Sequence, residues 1–517
     1  MRSKSKLLLI LAIVFFVSVT ITAFNEINPT VKADSFSSVE QQFDETVPKL
    51  MKKYNVPGTA VALVRKGEVD WVKGYGWADK SKEEAVTKDT VFQVASNSKS
   101  IAAWGVMKLV EKGKLDLDTP AERYLTRWHL PKTDYDNNEV TIRRILSHTA
   151  GLSQGGYAGY FPAEEVPSLE NSLSGRVKGV KELKITKKPG KKYKYSGGGY
   201  TLLQLITEEV SGKPFSKYMK EEVLEPLGMM SSSYEWEPGL KTKTATPYDV
   251  SGNKMPNYLF AETAAAGLYT TAPDLARFVA ANLDSDVNPA GRNVLKQSTL
   301  SVMRNPVKKD YGLGCIIKDL PDGRRLIYHG GTNRGWRSQY VFIPENRSGL
   351  VVLTNSENGE NLHRDLMSLW AKWETGHYPD FRVKNILLRT LIRMISLALV
   401  LLMIVYIRKV LKSFSAGKRH FIFSGKHSLK RAFFISIVQA VALVAFLALW
   451  MIAFYTGVFY NGWTFASFAP SGFIWLTITV VLWSILLTVT SLTRKTDFHD
   501  TAVEIDAVET QQETNKF

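Results

Sequence analysis

Phe92-Gln93-Val94-Ala95-Ser96-Asn97-Ser98-Lys99 sets a serine at the opening of a predicted helix and a lysine three residues further on. Residues three apart share a helix face, so the Lys99 ammonium can reach the Ser96 hydroxyl. A lysine whose pKa is lowered by burial or by neighbouring cations can take the serine proton and turn a weak hydroxyl into a nucleophile. Ile101, Trp104 and Val110 give the helix an apolar face. The same eight residues also suit an N-cap serine followed by a surface lysine, so the decision passes to the rest of the chain.

Two later stretches bear on it. Lys188-Pro189-Gly190 leads into Tyr193-Lys194-Tyr195-Ser196-Gly197-Gly198-Gly199-Tyr200. A tyrosine on such a glycine-rich loop can approach the serine and relay a proton, or it can simply pack on a turn. Tyr328-His329-Gly330-Gly331-Thr332-Asn333 stands at the end of a predicted strand. A strand edge presents backbone N–H groups, and glycine permits close approach, which is how an oxyanion site is built. Read by itself, His329 is equally a turn histidine.

The surrounding pattern predicts an α+β domain over residues 34–378. Ser38–Lys53 has helical spacing, with Val39, Phe43, Val47, Leu50 and Met51 on one face. Thr59–Val64 and Val69–Lys73 read as strands joined by a turn at Arg65-Lys66-Gly67. A helical, loop-rich middle follows to about residue 282. Gly312–Lys318, Arg325–Tyr328, Gln339–Ile343 and Leu350–Thr354 then read as successive strands, with turns at Pro321-Asp322-Gly323 and Pro344-Glu345-Asn346. Glu360–Trp373 closes as a helix. Strands at both ends and helices between predict an antiparallel sheet flanked by helices, completed by both termini, beside a mostly helical subdomain.

In this order and at these separations the three motifs resemble the serine β-lactamase and penicillin-binding protein superfamily, and most nearly its class C β-lactamase-like serine hydrolases. Leu146-Ser147-His148-Thr149-Ala150-Gly151-Leu152, Pro226-Leu227-Gly228-Met229 and Ala264-Ala265-Ala266-Gly267-Leu268-Tyr269 extend the resemblance over about residues 40–360. It implies Ser96 as the acylated nucleophile, Lys99 as its base or proton shuttle, and Tyr195 as the second general acid/base. His329 would complete the catalytic set, and His329-Gly330-Gly331 would line the substrate strand, with Thr332 and Asn333 beside it. The backbone N–H groups of Ser96 and Thr332 would form the oxyanion hole. No metal or cofactor is implied. The implied activity is hydrolysis through an acyl-enzyme of a D-amino-acid peptide, a β-lactam or an ester, linked to the cell envelope or to antibiotic metabolism. The alternative is a penicillin-binding or sensing module with little turnover. Where the family loop has Tyr-x-Asn, this chain has Tyr195-Ser196-Gly197, which widens the implied substrates to esters and other peptides. Peptidases of the group that remove an acyl-D-asparagine share Asn333 but differ at Gly197 and Glu262, so their substrate is not carried over.

The chain has 517 residues and a net charge of +17. Residues 408–431 hold eight Lys/Arg and no acid, and residues 171–200 hold nine Lys/Arg against Glu182, so two blocks carry nearly all of the excess. A charge so concentrated argues against a nucleic-acid partner. Residues 1–33 read as a signal peptide with a basic start and an apolar run. Ile386–Ile407, Ala432–Phe454 and Phe473–Leu492 are each about the twenty residues a transmembrane helix needs, so three spans are expected. The basic loop 408–431 belongs in the cytoplasm by the positive-inside rule, as does the tail 493–517. That arrangement makes a multi-pass protein of the cell membrane with its catalytic domain outside. The basic stretch before Tyr195 suggests anionic cell-wall polymers as a further partner, or else a solvated loop. Cys315 is the only cysteine, which excludes an intramolecular disulfide.

Overall fold

The computed structural model describes residues 38–421 apart from 178, 321 and 377, residues 472–491 and 493–495, Ser18, and scattered positions between 430 and 443. The expected signal peptide, most of the expected second span and the tail beyond Lys495 lie outside the described residues. The chain forms two compact units, divided at Pro379/Asp380.

The first unit opens with α1 (Val39–Tyr54), capped by the Ser38 side chain and closed by Asn55 in the left-handed region, φ 54°. Then come β1 (Gly58–Arg65), β2 (Glu68–Asp79), β3 (Glu84–Ala85) and β4 (Phe92–Gln93). The β1–β2 turn is Lys66-Gly67, both at positive φ, the geometry that matches the natural twist of a two-residue hairpin. After α2 (Asn97–Glu111) the helical region includes α3 (Gly197–Ser211) and α4 (Thr263–Ala266). β5 (Tyr269–Thr270) pairs with β4, and α5 spans Ala272–Ala281. The chain returns to the sheet with β6 (Ile316–Asp319), β7 (Arg325–Asn333), β8 (Trp336–Ile343) and β9 (Ser348–Thr354), and ends on α6 (Gly359–Thr375).

The main sheet has the order β3-β2-β1-β9-β8-β7-β6. β1 pairs antiparallel with β9, so the first and last long strands close the domain as the sequence predicts. All of β9, and β1 up to Val64, is buried, because α5 packs on these strands as well as α6. The sequence misjudges two lengths. β6 begins at Ile316 rather than Gly312, since Gly312 and Gly314 belong to a turn. β7 runs five residues beyond Tyr328, because Gly330 and Gly331 pair with Gln339 and Ser338 despite glycine's weak strand preference. β6 pairs only with Arg325–Tyr328, so the second half of β7 keeps one free edge.

The second unit contains a helix, α7 (Asp380–Ser415), and another, α8 (Gly472–Ser491). The Trp483 indole donates to the Leu399 carbonyl at 2.8 Å, and the Tyr406 and Thr490 hydroxyls meet at 2.9 Å. Among the described residues one helix, not three, is long and apolar enough to cross a membrane: Ile386–Ser415, mean hydropathy 2.4 over its most apolar stretch. The expected third span is a helix, α8, of which Leu476–Thr490 forms a shorter apolar stretch among the described residues.

Candidate active site

Ser96 lies between β4 and α2. Ala95 before it is held at φ +48°, a conformation that non-glycine residues seldom adopt and that is retained where surrounding contacts over-determine it. Three contacts do so here. Val94 N–H donates to the Leu268 carbonyl at 2.9 Å. The Ser98 hydroxyl donates to the Ala95 carbonyl at 2.5 Å and accepts from Leu268 N–H at 3.0 Å. Ser96 stands at the N-cap of α2, yet its side chain makes no cap hydrogen bond. That removes the capping explanation and leaves the hydroxyl available for other partners.

Those partners are the two residues the motifs single out. Lys99 Nζ is 3.1 Å from Ser96 Oγ, and the Tyr195 hydroxyl donates to the same oxygen at 2.9 Å. Lys99 is 2% exposed and its Nζ also donates to the Ala265 carbonyl at 2.6 Å. No carboxylate pairs with it among the described residues, so burial acts unopposed and pulls its pKa down to about 7. The ammonium lies 5.1 Å and 5.8 Å from the centroids of the Tyr195 and Tyr200 rings. Burial pushes the Tyr195 phenol well above its ordinary range, so it is a hydroxyl donor and not a phenolate at neutral pH.

Tyr195 immediately precedes the N-cap of α3. Ser196 Oγ accepts from Gly199 N–H at 3.0 Å, and the Ser153-Gln154 carbonyls accept from that hydroxyl. At Gly197 a Cβ would come within 3.0 Å of the Gly155 carbonyl and 3.2 Å of the Tyr157 ring. The loop 155–157 thus packs tightly against the position where the family's asparagine would begin its side chain.

The free half of β7 borders the nucleophile. A Cβ on Gly331 would fall 2.2 Å from the Val94 carbonyl and 2.3 Å from Ser338 Oγ, so glycine is what lets the strand touch the turn carrying Ser96. Thr332 follows on the same strand. His329 is buried, with Nε2 3.1 Å from the Tyr311 hydroxyl and Nδ1 2.8 Å from the Gly330 carbonyl. The second contact needs Nδ1–H, which leaves Nε2 to accept from Tyr311. Burial and the Lys99 charge pull its pKa down to about 3, so the ring is neutral. Asn333 spends its amide N–H groups on Gln93 Oε1 at 2.5 Å and the Ala266 carbonyl at 3.1 Å. Of the named residues, Ser96, Lys99 and Tyr195 form one hydrogen-bonded cluster. Gly330, Gly331, Thr332 and Asn333 form its strand wall, and His329 stands behind them with both ring nitrogens engaged.

Three participants went unassigned in the sequence. His148 sits in a motif quoted above but without a role, and its ring centroid is 4.3 Å from that of Tyr195. Tyr311 carries no local signal, as it comes from a loop before β6. Glu262, wholly buried, accepts from the Ser172 and Tyr160 hydroxyls, and burial raises its carboxyl pKa. All three positions become legible only once separate segments converge.

The sequence model of the family described as Beta-lactamase matches residues 43–371. "Protein flp" of Staphylococcus aureus (strain MRSA252) is 24% identical, over 68% of this chain and 72% of that protein. The "Putative penicillin-binding protein PbpX" of Bacillus subtilis (strain 168) is 30% identical, over 62% of this chain and 75% of that one. Among solved structures, the octameric penicillin-binding protein homologue from Pyrococcus abyssi superimposes with a TM-score of 0.56 at 27% identity, over 65% of this chain and 79% of that one.

Proposed function

The chain belongs to the β-lactamase/penicillin-binding protein superfamily, and from that premise we propose that it is a serine hydrolase working through an acyl-enzyme on Ser96. The observation that carries the reading is the pair of contacts on Ser96 Oγ, from a lysine with a pKa near 7 and from a protonated tyrosine. Neutral Lys99 takes the Ser96 proton as Oγ attacks the substrate carbonyl. The Ser96 and Thr332 backbone N–H groups hold the developing oxyanion. The proton passes from Lys99 through Tyr195 to the leaving group; in deacylation the same pair takes a proton from the attacking water and returns it to Ser96 Oγ as the acyl–oxygen bond breaks. The substrate class is a D-amino-acid peptide, a β-lactam or an ester, as the motifs' resemblance to the class C-like hydrolases implies. Incubating membranes with a fluorescent penicillin or a fluorophosphonate should label the wild type. Label that persists in Ser96→Ala would sink the reading.

A second reading, a penicillin-binding sensor with little turnover, draws on Gly197, which carries no amide where the family has asparagine and beside which stand the Gly155 carbonyl and the Tyr157 ring. Multiple turnover on any ester or peptide would exclude it.

The helix Ile386–Ser415 supports attachment to a membrane. With residues 408–431 on the cytoplasmic side, the hydrolase domain faces outward. Lys187, Lys188, Lys191 and Lys192 are exposed and make no ion pair among the described residues, while Lys309 lies 5.3 Å over the Tyr193 ring beside them. This cationic rim next to Tyr195 suits an anionic envelope polymer or head group. Neutralising the four lysines should weaken retention on anionic envelope preparations at low salt and have no effect at high salt.

A further inference from the structure

Tyr195 must be held in place to serve Ser96, and the holding is traceable to one residue. His148 touches the chain on both sides of Tyr195. Its carbonyl accepts from Lys194 N–H at 2.8 Å, and its Nδ1 accepts from Ser196 N–H at 3.1 Å. Its ring lies against the Tyr195 ring with centroids 4.3 Å apart, and Tyr311 and Tyr200 line it at 4.8 Å and 5.3 Å. The residue is 2% exposed, and its backbone is held in the left-handed region at φ +56°, unusual for a side chain of this size. Acceptance at Nδ1 fixes the tautomer, so the proton is on Nε2. That atom has no hydrogen-bond partner among the described residues. A buried donor left unpaired is a cost the fold tolerates here, and the gain that accompanies it is the double grip on residues 194 and 196.

We propose that His148 is the positioning residue of this site, fixing the Tyr195 hydroxyl on Ser96 by gripping the backbone on either side of it. Burial and the nearby Lys99 charge keep its ring neutral, which preserves Nδ1 as an acceptor. The proposal rests on the acyl-enzyme reading, in which Tyr195 carries a proton, but it concerns a residue that touches no substrate.

The test is the second-order rate at which a fluorescent penicillin labels Ser96 in the full chain in membranes. His148→Leu, which removes the acceptor, should slow labelling about 10²-fold, the order of loss a small misplacement produces. His148→Asn, whose amide oxygen can still accept from Ser196 N–H, should retain most of the wild-type rate. In a Tyr195→Phe background, His148→Leu should cause little further loss, because both changes remove the same interaction. An undiminished loss in that background, or an Asn variant as slow as the Leu variant, overturns the proposal. So does failure of both variants to fold, since the histidine would then serve the fold and not the site. If the wild type itself is not labelled, the hydrolase reading fails separately. The His148 proposal is then decided by a crystal structure of His148→Leu, where a Tyr195 hydroxyl still bonded to Ser96 overturns it.

Discussion

At the scale of the residue, the decisive quantity is the charge on Lys99. Its pKa near 7 means that the base form appears within the physiological range. The acylation rate should therefore rise with pH and level off above an apparent pKa of about 7, as measured by probe labelling across roughly pH 5 to 9. Lys99→Arg, charged throughout, should lose about 10²-fold or more and show no such rise. The same shift has a stability consequence. For a lysine whose pKa falls on folding, the cost of burying the ammonium is full below about 7 and lifts as pH rises toward the free value of 10.5. Replacing Lys99 by Met should flatten that part of the Tm-against-pH profile. Tyr195→Phe keeps the ring packing and loses the proton donor, so labelling should fall about 10²-fold with Tm little changed. Ser96 and Lys99 were readable as a pair from their spacing taken together with the two later motifs. Their chemistry was not, because the lowered pKa comes from burial by α4 and the tyrosines, which no local pattern reveals.

At the scale of the element, β7 and the start of α3 place the wall and the tyrosine. Gly331→Ala would drive a methyl into the Val94 carbonyl and disturb the turn that holds Ser96. Labelling should be lost, with a stability cost of about 1–3 kcal/mol from overpacking, measurable by denaturant unfolding. Gly197→Asn meets milder contacts, the Gly155 carbonyl and the Tyr157 ring, each of which must give by a few tenths of an ångström. It should cost about 1 kcal/mol, the low end of overpacking, and a crystal structure should show Tyr157 displaced. Helix α1, the Lys66-Gly67 hairpin and the long strands were legible because each announces itself through periodicity or turn chemistry. The extension of β7 through Gly330 and Gly331 was hidden, because its strand pairing is supplied by β8 and not by its own residues.

At the scale of the whole molecule, β1 and β9 join the two ends of the first unit, and α6, from the last residues before the second unit, packs on β8, β9 and α1. A chain cut after Pro379 should therefore fold, remain in the aqueous phase and keep its labelling rate. A cut before Ser348 removes β9 and should abolish folding, as circular dichroism and proteolysis would show. The sequence by itself determined the order of the motifs, the α+β class, the closing of the sheet by its ends, and the Ser96/Lys99/Tyr195 set. The elements and the Ser96/Lys99 spacing follow from residue types close together in the chain, while the place of Tyr195 beside them is what the family resemblance of the three motifs implies. Only the tertiary structure decided which groups set the chemistry: Ala265 as the Lys99 acceptor, His148 astride Tyr195, Tyr311 on His329 and Tyr157 in the space beside Gly197. Each of those contacts joins segments far apart in the chain, and a polar group's protonation depends on what surrounds it after folding rather than on its neighbours in sequence.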